Sequence, residues 1–94
     1  MTKVRAVELC DSGWWKNHSA LDIATLQLFE PRLIVSNFKI FAEAMNKALQ
    51  RETYRNEYAE SSALKKELLR KHPFAIQILR YMRALYGIEE NDDE

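Results

Sequence analysis

The side chains best suited to metal binding or covalent catalysis are one cysteine and two histidines, at Cys10, His18 and His72. A metal site needs several such ligands at paired spacing, and these three show no such pairing. A catalytic cysteine or serine needs a histidine beside it, and no nucleophile-elbow motif supports that arrangement. We expect His18 in a loop before a capped helix, and His72 at a helix end before Pro73. The sequence therefore predicts no metal site, no cofactor and no catalytic nucleophile.

Acid/base chemistry and phosphate binding have little support either. Glu43 and Glu67 each have a base three or four positions away, which is typical of ion pairs on a helix surface. A glycine-rich phosphate loop is excluded because Gly13 and Gly87 are the only glycines. We therefore predict that the chain is not an enzyme.

Two adjacent tryptophans, Trp14 and Trp15, follow Gly13 in a segment with the composition of a loop. Two neighbouring indoles do not easily face one core, so one of them is a candidate for exposure. An exposed tryptophan is a typical anchor for a protein contact. The alternative is structural, with one indole buried and the other lying flat on the domain. The sequence leaves both interpretations open, and we take the pair as candidate partner-binding residues.

A second aromatic group is interleaved with bases and comprises Tyr54, Arg55 and Tyr58. Between Arg51 and Arg83 the chain carries eight bases and four acids, although the whole chain has a net charge of zero. Such a surface can contact a protein, or can stack on nucleic-acid bases and neutralise phosphates. The interspersed acids favour a solvated helix face over a phosphate-binding surface. We take the three residues as candidate partner-binding residues and keep binding of nucleic acid or a signalling nucleotide as the alternative.

Four segments have the apolar periodicity or the end signals of helices. Ser19 caps the first, Ser36 or Asn37 caps the second, and Gly87 ends the last in a left-handed conformation. Together they predict a mainly α domain of three to four helices. The segments are residues 20–29, 37–50, 62–71 and 73–86.

The first third of the chain is harder to interpret. Residues 3–9 follow neither period cleanly and are predicted as a strand. Residues 32–35 are predicted to be extended because they are rich in branched side chains and too few for a helix. If both segments are extended, they pair into a small two-stranded β element beside the helices, which is the α+β alternative.

The domain organisation follows from length and charge. A chain of 94 residues is expected to form one domain, over residues 1–88. Residues 89–94 are acidic and are predicted to be a disordered tail. The single cysteine, the lack of a signal-peptide pattern and the lack of an apolar run of about 20 residues predict a cytoplasmic protein without a membrane span.

The predicted helix at residues 73–86 is apolar over more than half of its girth, so we expect it in the core or in a subunit contact. Its exposed side carries Arg80, Tyr81 and Arg83. A small domain gains stability from association. We therefore predict a homo-oligomer, such as a dimer, with these three residues as candidate contacts.

From Asp22 onward the order of features resembles an uncharacterised family of small proteins encoded by tailed phages and prophages. The shared features are a short helix running into an extended segment with Pro31, a helix over residues 38–51, an aromatic-led segment over residues 54–58, and a leucine-bearing helix that ends in a basic-His-Pro step. A glycine and a Thr-His pair common in the family are replaced here. The best-matching step is Leu68, Leu69, Arg70, Lys71, His72 and Pro73.

This resemblance covers about half of the chain and supplies no site residues. It implies an origin in a mobile genetic element, where small accessory proteins often bind and block a host factor. The leading hypothesis is thus a non-enzymatic phage accessory protein that acts in the host bacterial cytoplasm. It would bind and modulate a host protein, for example as an anti-defence inhibitor.

Overall fold

The computed structural model describes residues 1–88, and most of this span is helical. Within it the mainly helical prediction is confirmed, no β-strand occurs, and the predicted number of three to four helices is too low. The acidic tail predicted for residues 89–94 lies outside the described residues. The elements in chain order are α1 (Lys3–Ser12), a 3₁₀ helix (Trp14–Asn17), α2 (Ala20–Leu28), α3 (Phe38–Leu49), α4 (Arg55–Ala59), α5 (Ser62–Lys71) and α6 (Ala75–Leu85).

The core is built around α2, which packs against both α3 and α6. Residues 23–28 are all buried, as expected for a helix enclosed by its neighbours. Helix α5 contacts α3 and α6 as well. Each of these four helices contributes a fully enclosed side chain, namely Leu26, Met45, Leu68 and Met82. Burial of one such side chain stabilises the fold by about 1.5–3 kcal/mol.

The strand predicted for residues 3–9 is wrong, because this segment forms most of α1. The Thr2 hydroxyl accepts a hydrogen bond from the third backbone N–H of the helix at 3.1 Å and so caps its N-terminus. Ala6 and Leu9, three positions apart, are the buried residues of the helix. Gly13 follows with a φ of 67°, the left-handed conformation that commonly ends a helix. The Thr2 cap, the buried Ala6 and Leu9, and Gly13 together stabilise a helix here, although the sequence shows no clear helical period.

The segment predicted to be extended at residues 32–35 does not join a sheet. Side chains bind its backbone instead: Gln27 Nε2 donates to the Arg32 carbonyl at 2.9 Å, and Gln27 Oε1 accepts from the Ile34 N–H at 2.8 Å. Trp14 Nε1 donates to the Ile34 carbonyl at 2.8 Å. Because these bonds satisfy buried backbone groups, the segment needs no pairing strand. The predicted two-stranded element is therefore wrong.

The remaining helices lie close to their predicted positions. Ser19 and Asn37 cap α2 and α3, each with its side-chain oxygen accepting a backbone N–H at 3.2 Å. Helix α5 has the predicted bounds. Helix α6 begins two residues later than predicted, and Gly87 follows it at a φ of 65°. Helix α4 has no counterpart among the predicted helices, because its five residues are too few to show a period.

Candidate recognition groove

An open groove lies where the loop after α2 meets the first turn of α3 and the short helix α4. Its volume is about 280 Å³. Leu28 and Phe41 are buried within it, whereas Pro31 and Leu33 are exposed at its edge. We call it the recognition groove. Its lining includes Leu28, Glu30, Pro31, Leu33, Phe38, Phe41 and Tyr58.

Three aromatic rings form one wall of the groove. Phe38, Phe41 and Tyr58 meet edge to face, with ring centroids 4.9 to 5.9 Å apart, a favourable geometry for aromatic pairs. The Thr53 hydroxyl donates to Asn46 Oδ1 at 2.7 Å, so the Tyr58 hydroxyl donates to Thr53 Oγ1 at 2.6 Å. Burial raises the pKa of Tyr58, so its phenol stays protonated and can donate this hydrogen bond. The bond holds the Tyr58 ring in the wall of the groove.

An ion-pair network holds this wall in place, and we call it the Arg51 clamp (Arg51, Glu57, Glu67 and Lys71). The Arg51 guanidinium donates two hydrogen bonds to each carboxylate, at 2.6 and 3.1 Å to Glu57 and at 2.8 and 3.0 Å to Glu67. Lys71 Nζ lies 2.8 Å from Glu67. Hydrogen bonds from Arg51 and then from Lys71 lower the pKa of Glu67 to about 2. The clamp ties α4 and α5 to the end of α3.

Two cations lie against aromatic rings near the groove. The Arg55 guanidinium carbon is 5.7 Å from the centroid of the Phe38 ring, which lines the groove. Lys65 Nζ is 5.3 Å from the centroid of the Phe29 ring. Both distances fall within the range of cation–π attraction. Arg55 is exposed, so its charge remains accessible to a partner at the groove.

A buried carboxylate lies in the lining of the groove. The Glu30 side chain is only 4% exposed, and its Oε1 accepts from Arg83 Nε at 3.3 Å. Arg83 Nη2 also donates to the Phe29 carbonyl at 3.4 Å. Arg83, a candidate for self-association, thus faces the loop that forms the groove. It links α6 to that loop.

The other sequence-predicted residues lie at this groove, in the tryptophan pair after α1, or on α6. Arg55 and Tyr58 meet at the groove, and the exposed Tyr54 directly precedes α4. Trp14 is 3% exposed and hydrogen-bonded through its indole, so it belongs to the core. Trp15 is half-buried and packs edge to face on Trp14 at 6.2 Å. Neither indole of the pair is therefore fully exposed, and its role in partner binding stays a prediction.

The two remaining candidates lie on α6. Arg80 and Tyr81 are both exposed, and Tyr81 keeps 64% of its surface in solvent. Within residues 1–88 Arg80 takes part in no ion pair. Leu33 and Phe38 line the groove but are not among the sequence-predicted residues, because their proximity depends on how the loop after α2 folds back. No local pattern carries that information.

A histidine cluster at the other end of α2 was also missed. His18 Nδ1 lies 3.2 Å from Asp22 Oδ2, and His18 Nε2 lies 2.6 Å from the Tyr86 hydroxyl. An oriented histidine of this kind can act as a general base, but both ring nitrogens are occupied here. Burial raises the pKa of Tyr86, so the phenol is not an activated nucleophile. The cluster links the start of α2 to the end of α6.

Cys10 contacts the loop after α2 and none of the residues of the histidine cluster. Its Sγ donates weakly to the carbonyls of Leu33 and Val35, at 3.4 and 3.5 Å. Burial, followed by the negative charge of Asp11, raises the pKa of the thiol. A thiol with a raised pKa is a poor nucleophile near neutral pH. Cys10 therefore helps to hold the loop after α2.

No group of three His, Cys, Asp or Glu side chains within residues 1–88 comes together to hold a metal ion. None of the helices in this span combines the length and the apolar character needed to cross a bilayer.

Comparison with protein-family models, with curated proteins and with solved structures gives no match for this chain. The resemblance to small phage-encoded proteins therefore stays a prediction.

Proposed function

We propose that the chain is a non-enzymatic protein-binding module whose recognition groove accepts an apolar side chain from a partner protein. Arg55, exposed above Phe38, pairs with an acidic residue next to that side chain. The observation that carries the proposal is the combination of an aromatic wall held by the Arg51 clamp with an exposed apolar edge. A contact surface preformed in this way loses little entropy on binding.

The size and chemistry of the groove support a protein partner over a small molecule. Its volume of about 280 Å³ is just below the range of about 300–1,000 Å³ typical of small-molecule pockets. A groove of this size suits one or two anchoring side chains. The buried carboxylate of Glu30 in the lining disfavours a phosphate or another anion inside the groove.

The alternative of nucleic-acid binding has less support from the contacts of the basic segment. Of its eight bases, Arg51, Lys71 and Arg83 are in ion pairs, and Lys65 lies over the Phe29 ring. Arg55, Lys66, Arg70 and Arg80 remain accessible, so half of the bases that composition counts are left for a phosphate-binding track. The affinity for nucleic acid should be highest at low salt and should fall steeply as the salt concentration rises. An absence of low-salt binding to single- and double-stranded probes would therefore remove this alternative.

The identity of the partner rests on the resemblance to phage-encoded proteins. A small accessory protein of a mobile element acts inside its host, so the proposed partner is a host protein whose activity is blocked or redirected. An inhibitor of host defence is one protein of this type.

The experiment that tests the proposed function is selection of short peptides from a random displayed library on the immobilised chain. The expected peptides carry a large apolar residue next to Asp or Glu. A Leu33→Asp variant should reduce the affinity for them at least about tenfold, because a carboxylate at the edge opposes apolar docking. Arg55→Glu should select against the acidic flank.

The matched control is Val4→Asp, which changes another exposed apolar residue, on α1. It should leave peptide binding unchanged. Equal loss of binding in Val4→Asp and Leu33→Asp, or selected peptides without an apolar anchor, would contradict the proposed function.

A further inference from the structure

The outer face of α6 carries an apolar stripe that starts at its N-cap. Phe74, Tyr81 and Leu85 are 73%, 64% and 51% exposed, and Ile78 is half-buried beside them. Successive residues turn by about 100° around a helix, so these four lie within one narrow sector. We call them the α6 stripe. Within residues 1–88 nothing covers these exposed side chains.

The spacing of the stripe is symmetric. Its steps are four, three and four residues, the pattern by which paired helices mesh. A twofold axis midway between Ile78 and Tyr81 would place Phe74 opposite Leu85 of a second copy and Ile78 opposite Tyr81 of that copy. One axis therefore matches every member of the stripe in an antiparallel pair. A self-complementary patch of this kind is what an isologous dimer requires.

The charges of α6 are compatible with such a pair. An isologous contact places like residues near each other, so a charge beside the stripe would repel its own copy. On α6 itself, the exposed residues that border the stripe are Gln77 and Ala84, both uncharged. From α1, Arg5 donates to the Tyr86 carbonyl near the Leu85 end of the stripe. Arg83 is on the opposite side of the helix, where it contacts Glu30. Arg80 is also turned well away from the stripe.

The exposed area decides the strength of the contact. An aromatic side chain has about 150–250 Å² to bury, so the exposed fractions of Phe74 and Tyr81 leave on the order of 250 Å² uncovered. With Leu85 and Ile78 included, two copies would bury on the order of 700–800 Å² in total, which lies at the low end of interface sizes and suits a weak, reversible contact.

We propose that the chain forms a reversible homodimer through antiparallel packing of the α6 stripe on its counterpart in a second copy. The proposal does not depend on the recognition groove, because Arg83 connects that groove to the side of α6 opposite the stripe. In the dimer both grooves stay open to their partners.

Sedimentation velocity over a concentration series tests the dimer. The wild-type chain should shift from monomer toward dimer as its concentration rises to about 1 mM, because a weak interface dissociates at lower concentrations. Tyr81→Glu should remain monomeric, since it places a carboxylate in the centre of the stripe. Tyr54→Glu is the matched control, because Tyr54 has the same 64% exposure away from α6.

Three results would overturn the dimer. The first is a wild-type chain that stays monomeric at the highest concentration. The second is a Tyr81→Glu variant that still dimerises while circular dichroism shows it folded. The third is equal weakening by Tyr54→Glu. If Tyr81→Glu fails to fold, Leu85→Glu replaces it in the same comparison.

Disulfide trapping tests the antiparallel arrangement, in a Cys10→Ser background. A mixture of differently tagged Phe74→Cys and Leu85→Cys chains should form the mixed cross-link. In the antiparallel pair, two copies of position 74 lie about 16 Å apart, beyond the Cα separation of about 7 Å that a disulfide can span. A dominant cross-link between two Phe74→Cys chains would refute the antiparallel arrangement.

Discussion

Individual side chains determine which parts of this surface are free to bind. Trp14 and Arg51 have the residue types of a binding hot spot, yet both have structural roles: Trp14 holds a loop carbonyl and Arg51 holds two carboxylates. Arg55 has the same chemistry as Arg51 but contacts only the face of a ring, so its hydrogen-bonding groups remain accessible. The difference between the two arginines comes from the carboxylates within reach.

The Arg51 clamp gives a pH dependence with a definite sign. Because the pKa of Glu67 falls from 4.5 to about 2 on folding, its contribution to stability is complete above pH 4.5 and is lost as the pH falls toward 2. Glu67→Gln should therefore lower the free energy of unfolding by about 1–2 kcal/mol at pH 7, with the deficit shrinking toward zero at about pH 2. Urea denaturation at several pH values measures it.

The control for this prediction is Glu43→Gln. Glu43 pairs with Lys39 at 3.8 Å, and its side chain is 61% exposed. Such an exposed pair should change the free energy of unfolding by less than about 0.5 kcal/mol at any pH. A deficit in Glu67→Gln that persists undiminished at low pH would show that lost packing, not the charge of the clamp, is responsible.

At the level of elements, the sequence predicts what local periodicity encodes and fails where distant groups decide. Helices α3, α5 and α6 were predicted because their apolar faces repeat along one segment. The loop at residues 32–35 was not, because its conformation depends on side chains outside it, Gln27 in the preceding helix and Trp14 twenty positions before Ile34. The recognition groove shows the same division. Arg55 and Tyr58 were predicted from composition, but their neighbours Leu33 and Phe38 were not.

Gln27 is the residue on which the loop at residues 32–35, and hence one edge of the groove, most depends. Gln27→Leu keeps a similar volume but removes the partners of the Arg32 carbonyl and the Ile34 N–H. Leaving such buried groups unsatisfied should cost about 2–4 kcal/mol of unfolding free energy. Hydrogen exchange at the Ile34 amide should also accelerate. Chemical denaturation and amide exchange measure the two effects.

Thr25 offers a control from the same helix. Its hydroxyl is buried and has no hydrogen-bond partner within residues 1–88. Thr25→Val should therefore leave the stability unchanged or raise it by up to about 1 kcal/mol. If Thr25→Val and Gln27→Leu destabilise equally, the cost would come from repacking α2 and not from the loop.

In the molecule as a whole, the net charge of zero does not indicate which charges are free, and the contacts of the individual bases do. Half of the eight bases in the Arg51 to Arg83 segment face carboxylates or the Phe29 ring, so the charge available to a phosphate is smaller than the composition suggests. The exposed apolar side chains include the edge of the groove on one side of α6 and the α6 stripe on the other. Two surfaces on one small core allow separate partners.

The independence of these two surfaces leads to a reciprocal prediction. Tyr81→Glu should abolish dimerisation and leave the affinity for a groove-selected peptide within about twofold, whereas Leu33→Asp should lower that affinity at least about tenfold and leave the dimer intact. Fluorescence anisotropy and sedimentation measure the two properties on the same samples. If both variants lose both properties while circular dichroism shows them folded, the independence of the two surfaces is contradicted, and the Arg83–Glu30 contact that joins α6 to the groove is the route of coupling to test. The Arg83→Lys variant should then alter peptide affinity and dimerisation together, since lysine cannot reproduce both guanidinium contacts.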